Sequence, residues 1–207
     1  MSVGLPLLLV TGLATIIQQT DILLIGWMLN IESAGFYKAA ATAATPVGFV
    51  LTAVNAIAAP RFSQFHTENS PQRLRRFIRS IAHWLFWPTL GIAIIIATGA
   101  SFFLRLFGPE FESARLPLLI LILSHVINAG AGSVGYLLNM TGHHMVSARV
   151  YGITALINIG TNVIGIYLFG ITGAAVATVL SMLIWNYWLH VLVSRRLDLS
   201  PSILFVM

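Results

Sequence analysis

The chain has 207 residues, of which 57% are hydrophobic and 8% charged, with a mean hydropathy of +0.89 and a formal charge of +5. Soluble domains carry about a quarter charged residues, so six acids and eleven bases cannot build a water-facing surface for this length, and lipid must cover most of the exterior. The absence of cysteine excludes disulfides, thiolate-ligated zinc, haem thiolate and iron–sulfur sites, and cytoplasmic loops alone account for the basic excess without nucleic acid as a partner.

A bilayer core about 30 Å thick takes roughly 20 apolar residues of helix. Six stretches predict such spans, at 5–29, 39–60, 82–107, 116–139, 149–169 and 173–193. The runs are long, continuous and rich in Leu, Ile and Ala, which excludes the short alternating segments of a membrane barrel. The expected fold is therefore all-α, a single transmembrane bundle over residues 1–207.

The first span has no Lys or Arg before Lys38 and too long an apolar run for a signal peptide, so it reads as a spanning helix. One broad face carries Thr11, Thr15, Gln18 and Asp21, with Gln19 beside it. An ionised carboxylate in lipid costs about 2.5–3.5 kcal/mol even on the lenient insertion scale. Asp21 must then line a cavity or, from the outer end of its helix, reach headgroups. The second span contains Pro46 and ends at Pro60–Arg61, where Arg61 either snorkels or binds a phosphate entering from the cytoplasm.

Residues 61–81 form the only long polar segment. Asn69 or Ser70 can cap a helix with Pro71 at its first position, and Leu74, Phe77, Ile78 and Ile81 then share one face. Arg73, Arg75, Arg76 and Arg79 take the other, which predicts an amphipathic helix over about 71–81 at headgroup level, running into the third span. The fourth span places His125, Asn128, Gly132, Gly135 and Asn139 on one polar or small stripe, and the fifth carries Thr154, Asn158, Thr161 and Asn162. Such groups either hydrogen-bond across packed helices, for about 0.6 kcal/mol on average, or line a cavity. Both readings stand for Asn158 and Asn162.

Connectors on one side hold Arg61, Arg73, Arg75, Arg76, Arg79, Arg149, Arg195 and Arg196, and those on the other hold Lys38, Arg105 and Arg115. This asymmetry places the first side and both termini in the cytoplasm. No catalytic, metal or cofactor signature appears: phosphate loop, HExxH, GxSxG and paired carboxylates are all missing. Adjacent His143 and His144 would point about 100° apart on a helix, unlike a metal pair. The Asn139-Met140-Thr141 sequon falls at an expected cytoplasmic helix end, out of reach of glycosylation.

Several segments together resemble bacterial polysaccharide flippases of the O-antigen type, in the multidrug/oligosaccharidyl-lipid/polysaccharide exporter superfamily. They are Gln19-Thr20-Asp21 with Leu23 to Gly26, Ala34-Gly35-Phe36-Tyr37-Lys38-Ala39-Ala40, Ala59-Pro60-Arg61-Phe62-Ser63, Leu106 to Phe111, and Phe169 to Thr178. Their order covers nearly the whole chain and is similar to the C-terminal half of such transporters. The resemblance implies a bundle equivalent to one half of a twelve- to fourteen-helix protein in the bacterial inner membrane. It also implies membrane lipid and undecaprenyl-diphosphate-linked oligosaccharide as partners, a second six-helix bundle facing this one, no enzymatic activity and no cofactor. Gln18, Asp21, Arg61, His125, Asn128, Asn158 and Asn162 are the expected cavity or gating residues. A coupled multidrug exporter of the same superfamily, with Asp21 binding the ion, and a non-transporting subunit are the alternatives.

Overall fold

The computed structural model describes residues 4–68, 70–197 and 202, and all of its regular structure is helical. Helix α1 spans Gly4–Met28 and stops two residues short of the next. Asn30 caps that next helix, α2 (Ile31–Thr67), by accepting from the Ser33 amide at 2.7 Å, and Glu32 complements the helix dipole in the first turn. The second span was expected to end at Pro60, yet α2 runs straight through both Pro46 and Pro60. Each proline removes only one donor, and neighbouring helices hold the rest of the ladder. At 37 residues α2 is about 55 Å long, well beyond a bilayer core.

Helix α3 (Pro71–Thr98) starts with Pro71 in its first turn after Ser70, whose side chain makes no capping bond. Asn69, the other expected cap, lies outside the described residues. The predicted amphipathic segment is continuous with the third span in one helix, as expected for a segment that runs into it. Leu74, Ile78 and Ala82 are buried against protein, with Phe77 edge-on to Phe62 at 5.6 Å and to Phe65 at 5.5 Å. After a slight irregularity at Gly99, helix α4 (Ala100–Arg105) completes this span. A 3-10 turn over Pro109–Ala114 follows, pinned by a two-pronged Arg105–Glu112 ion pair at 3.0 and 2.8 Å and by Phe36 edge-on to Phe111.

The fourth expected span is one stretch in the sequence and two helices in the structure, α5 (Arg115–Ala131) and α6 (Val134–Met140). Gly132, at φ 80 and ψ −167, lies where side chains are strained and breaks the ladder. The single stripe expected from His125 to Asn139 therefore loses its phase at Gly132. The last element, α7 (His144–Leu197), has 54 residues but bends at Gly170, where φ is 60 and ψ −140. Asn158 bonds Ser181, and an added Cβ on Gly173 would lie 1.8 Å from the Gly165 carbonyl oxygen. These pairs straddle Gly170 almost symmetrically, so the chain reverses there into two antiparallel limbs, 144–169 and 171–197. Among the described residues, four helical stretches are long and apolar enough to cross a membrane.

Two apolar clusters hold the bundle. One joins Ile25, Tyr37, Ala40, Ala44, Ile96, Leu104, Leu118, Ile166 and Ala174, and the other joins Ala58, Phe62, Leu74, Ile78, Val134, Leu137, Leu189 and Val193. Outside them, Trp27, Ile31, Ile57 and Tyr167 each show more than three quarters of their surface. An apolar exterior on this scale suits lipid and not water. The molecule is a multi-pass membrane protein.

Candidate functional site: an inward polar cavity

Between the two clusters lies a cavity of about 520 Å³. The α2 wall supplies Lys38, Thr42, Thr45, Gly48, Thr52 and Asn55, which recur every three or four residues and so share one face. Pro46 leaves the Thr42 carbonyl without its helical donor on that wall. Gln19 and Asp21 enter from α1, His125 and Asn128 from α5, and Thr178, Ser181, Trp185 and Asn186 from the second limb of α7.

At one end of the cavity the Asp21 carboxylate is 4% exposed and accepts three hydrogen bonds. Tyr37 donates to Oδ2 at 2.6 Å, Thr178 donates to the same oxygen at 2.5 Å, and Asn162 donates to Oδ1 at 2.8 Å. One residue thus ties α1, α2 and both limbs of α7 together. Asp21 does not reach the headgroups. Lys38 follows Tyr37 and is exposed on the cavity wall, so the lining is not the neutral or acidic surface that the first, fourth and fifth spans alone suggested.

The expected site residues divide. Asp21, His125 and Asn128 line the cavity. The His125 ring lies against Gly48, where an added Cβ would come within 2.8 Å, and Asn128 Oδ1 accepts from Asn186 Nδ2 at 3.0 Å. Asn158 and Asn162 are fully buried and bind across helices, Asn158 to Ser181 and Asn162 to Asp21, rather than lining the cavity. Arg61 is exposed on the far end of α2, within 3.3 Å of Gln64 and away from the lining. Gln18 lies in α1, and its side chain is outside the described residues. Sequence reading missed the α2 face and the Thr178–Asn186 face. The signal for α2 was present as the three-and-four spacing from Lys38 to Asn55, hidden among alanines. Among the described residues, no three His, Asp or Glu side chains converge as a metal site would require.

The described residues form a helical membrane bundle with a cavity lined from α1, α2, α5 and the second limb of α7. Residues 1–115 match the family described as polysaccharide biosynthesis protein, and the chain belongs to it. It is 30% identical over 175 residues to the probable low-salt glycan biosynthesis flippase Agl15 of Haloferax volcanii, covering 82% of this chain and 36% of that relative. In fold it is similar to an outward-facing multidrug resistance MATE family transporter of the MOP superfamily, with a TM-score of 0.72 at 17% identity. It is also similar to a MOP superfamily transporter from Pyrococcus furiosus described as having a binding pocket of reversed polarity, with a TM-score of 0.68 at 18% identity. Both superpositions cover 96% of this chain and 45% of the other. The chain thus spans about a third of its curated relative's length and under half of those transporters.

Proposed function

We propose that this chain is a six-span half of a flippase that carries undecaprenyl-diphosphate-linked oligosaccharide across the inner membrane during polysaccharide synthesis. A second six-helix bundle completes the cavity wall. The observation that carries this reading is the cavity itself: a row of hydroxyls and amides with Lys38 at one end, set among apolar lining residues inside an apolar bundle. A diphosphate–sugar headgroup needs such a wet, polar, cationic lining while its polyprenyl tail stays in lipid. Six spans follow if Gly132 bends one crossing and Gly170 separates two. The overhanging ends of α2 and α3 carry Arg61, Arg73, Arg76 and Arg79, which supports a cytoplasmic position for that end and both termini. There Arg61 meets an entering phosphate or snorkels.

The test is surface polysaccharide in cells whose only second bundle carries a Lys38 substitution, at matched membrane abundance. Lys38→Gln should lower export at least about tenfold, as expected for loss of a charge-assisted phosphate contact, and Lys38→Arg should retain most of it. Normal export by Lys38→Gln would sink the anionic-headgroup reading. The Asp21 node favours one competing reading, a multidrug exporter coupled to Na⁺ or H⁺, in which that carboxylate binds the ion.

A further inference from the structure

The end of the cavity away from Lys38 carries chemistry that phosphate binding does not use. Asn55 is fully buried, and neither its amide nitrogen nor its carbonyl oxygen has a partner. The Ser133 hydroxyl and Asn186 Oδ1 are also buried and unpartnered, and all three residues line the same cavity. An unmet buried polar atom costs about 1–3 kcal/mol, and native interiors keep few of them. Others lie in packed helix contacts away from the cavity, whereas these three residues line it from different elements, where a ligand can reach them.

Their positions coincide. Ala58, Val134 and Leu189 pack in one apolar cluster. Asn55 lies one turn before Ala58, Ser133 adjoins Val134, and Asn186 lies one turn before Leu189. The three therefore sit just above that cluster. Trp185 is there as well, half-buried on the lining, with Tyr151 edge-on to it at 5.1 Å.

We infer that this end of the cavity is a sugar subsite, in which Trp185 offers a ring face and Asn55, Asn186 and Ser133 bind the hydroxyls of one glycan residue. The assignment rests on the flippase reading above and names the part of the headgroup recognised here. A pyranose has an apolar C–H face and a rim of hydroxyls that both donate and accept. An indole beside neutral amides and a hydroxyl matches both features without charge. A phosphate would need a cation on the lining here; Lys38 lies about 25 Å away along α2, and Arg61, about 9 Å beyond Asn55, is not part of the lining. The separation from Lys38 exceeds the length of one sugar, so a headgroup touching both ends is an oligosaccharide of several sugars.

The experiment measures binding of two lipids to the full chain purified together with a second six-helix bundle: undecaprenyl diphosphate, and the same lipid bearing a neutral tetrasaccharide. The wild type should bind the glycan-bearing lipid about tenfold more tightly, the scale of one or two satisfied buried hydrogen bonds. Trp185→Ala and Asn55→Leu should each remove most of that preference and leave affinity for the sugar-free lipid within about twofold. Trp185→Phe keeps a ring face and should keep most of the preference, which separates loss of stacking from loss of fold. Lys38→Gln should weaken both lipids. Equal binding of the two lipids by the wild type, or a preference that survives both Trp185→Ala and Asn55→Leu, overturns the sugar subsite while leaving the flippase reading intact. Binding of neither lipid overturns both.

Discussion

Asp21 concentrates the competing demands on this bundle in a single side chain. Its two oxygens take three hydrogen bonds from neutral donors on α2 and both limbs of α7. The identity of the residue was legible, because a lone acid inside an apolar run is costly. Its partners were not, since Tyr37, Asn162 and Thr178 lie 16, 141 and 157 positions away. Asp21→Leu removes the acceptor the three share, leaving Thr178 to the Ala174 carbonyl, Asn162 to the Asn158 carbonyl and Tyr37 to the longer contact with the Thr178 hydroxyl. It also forces an apolar side chain among these polar groups, at about 1–3 kcal/mol for each donor left poorly met. Asp21→Asn keeps hydrogen-bonding capacity, because the Tyr37 and Thr178 hydroxyls can rotate to accept from the amide. Thermal unfolding in detergent should therefore show a much larger drop for Asp21→Leu than for Asp21→Asn. Export by Asp21→Asn should be reduced but present. A well-folded Asp21→Asn protein with no transport would instead favour ion coupling at this carboxylate.

At the level of elements, the helix breaks at Gly132 and Gly170 are what hydropathy could not show. Hydropathy averages over a window, whereas a break is a local backbone event, and Gly132 and Gly170 supply those events through positive φ. At Pro60, where the second span is expected to end, α2 continues because packing outweighs one missing hydrogen bond. The reversal at Gly170 depends on a second requirement, close backbone contact between Gly165 and Gly173. An alanine at 173 would drive its Cβ into the Gly165 carbonyl, and no flexible side chain can yield there. The two limbs must separate, which also pulls Asn162 and Thr178 away from Asp21. Gly173→Ala should cost at least about 1–3 kcal/mol, the usual range for overpacking. Gly160→Ala meets nothing within 4 Å and should stay within about 0.5 kcal/mol of the parent. Protease resistance of the two variants in detergent separates these outcomes, and equal resistance would rule out the close-packed hairpin.

Over the whole molecule, the cavity draws its lining from helices that lie far apart in the sequence. Its lining runs along α1, α2, α5 and the second limb of α7, with exposed Lys38, Thr42, Thr45 and Thr52 on the open face of α2. Hydroxyls and an ammonium on that face are poorly placed against acyl chains, so they require water held by another protein surface or the surface itself. In fold, 96% of this chain matches 45% of two larger transporters. Alternating access by rocking needs two bodies that close over the site from either side. Expressed alone in a strain lacking its polysaccharide flippase, this chain should leave export at the background of that strain. Co-expression with an N-terminal six-helix bundle from a related flippase should restore export and allow the two chains to be purified together. The same pairing with Lys38→Gln should still assemble but export poorly, because that side chain faces the cavity and makes no contact that holds the bundle. Full rescue by the lone chain, shown to be monomeric in the membrane, would mean that one bundle encloses the path by itself and that no second half is needed.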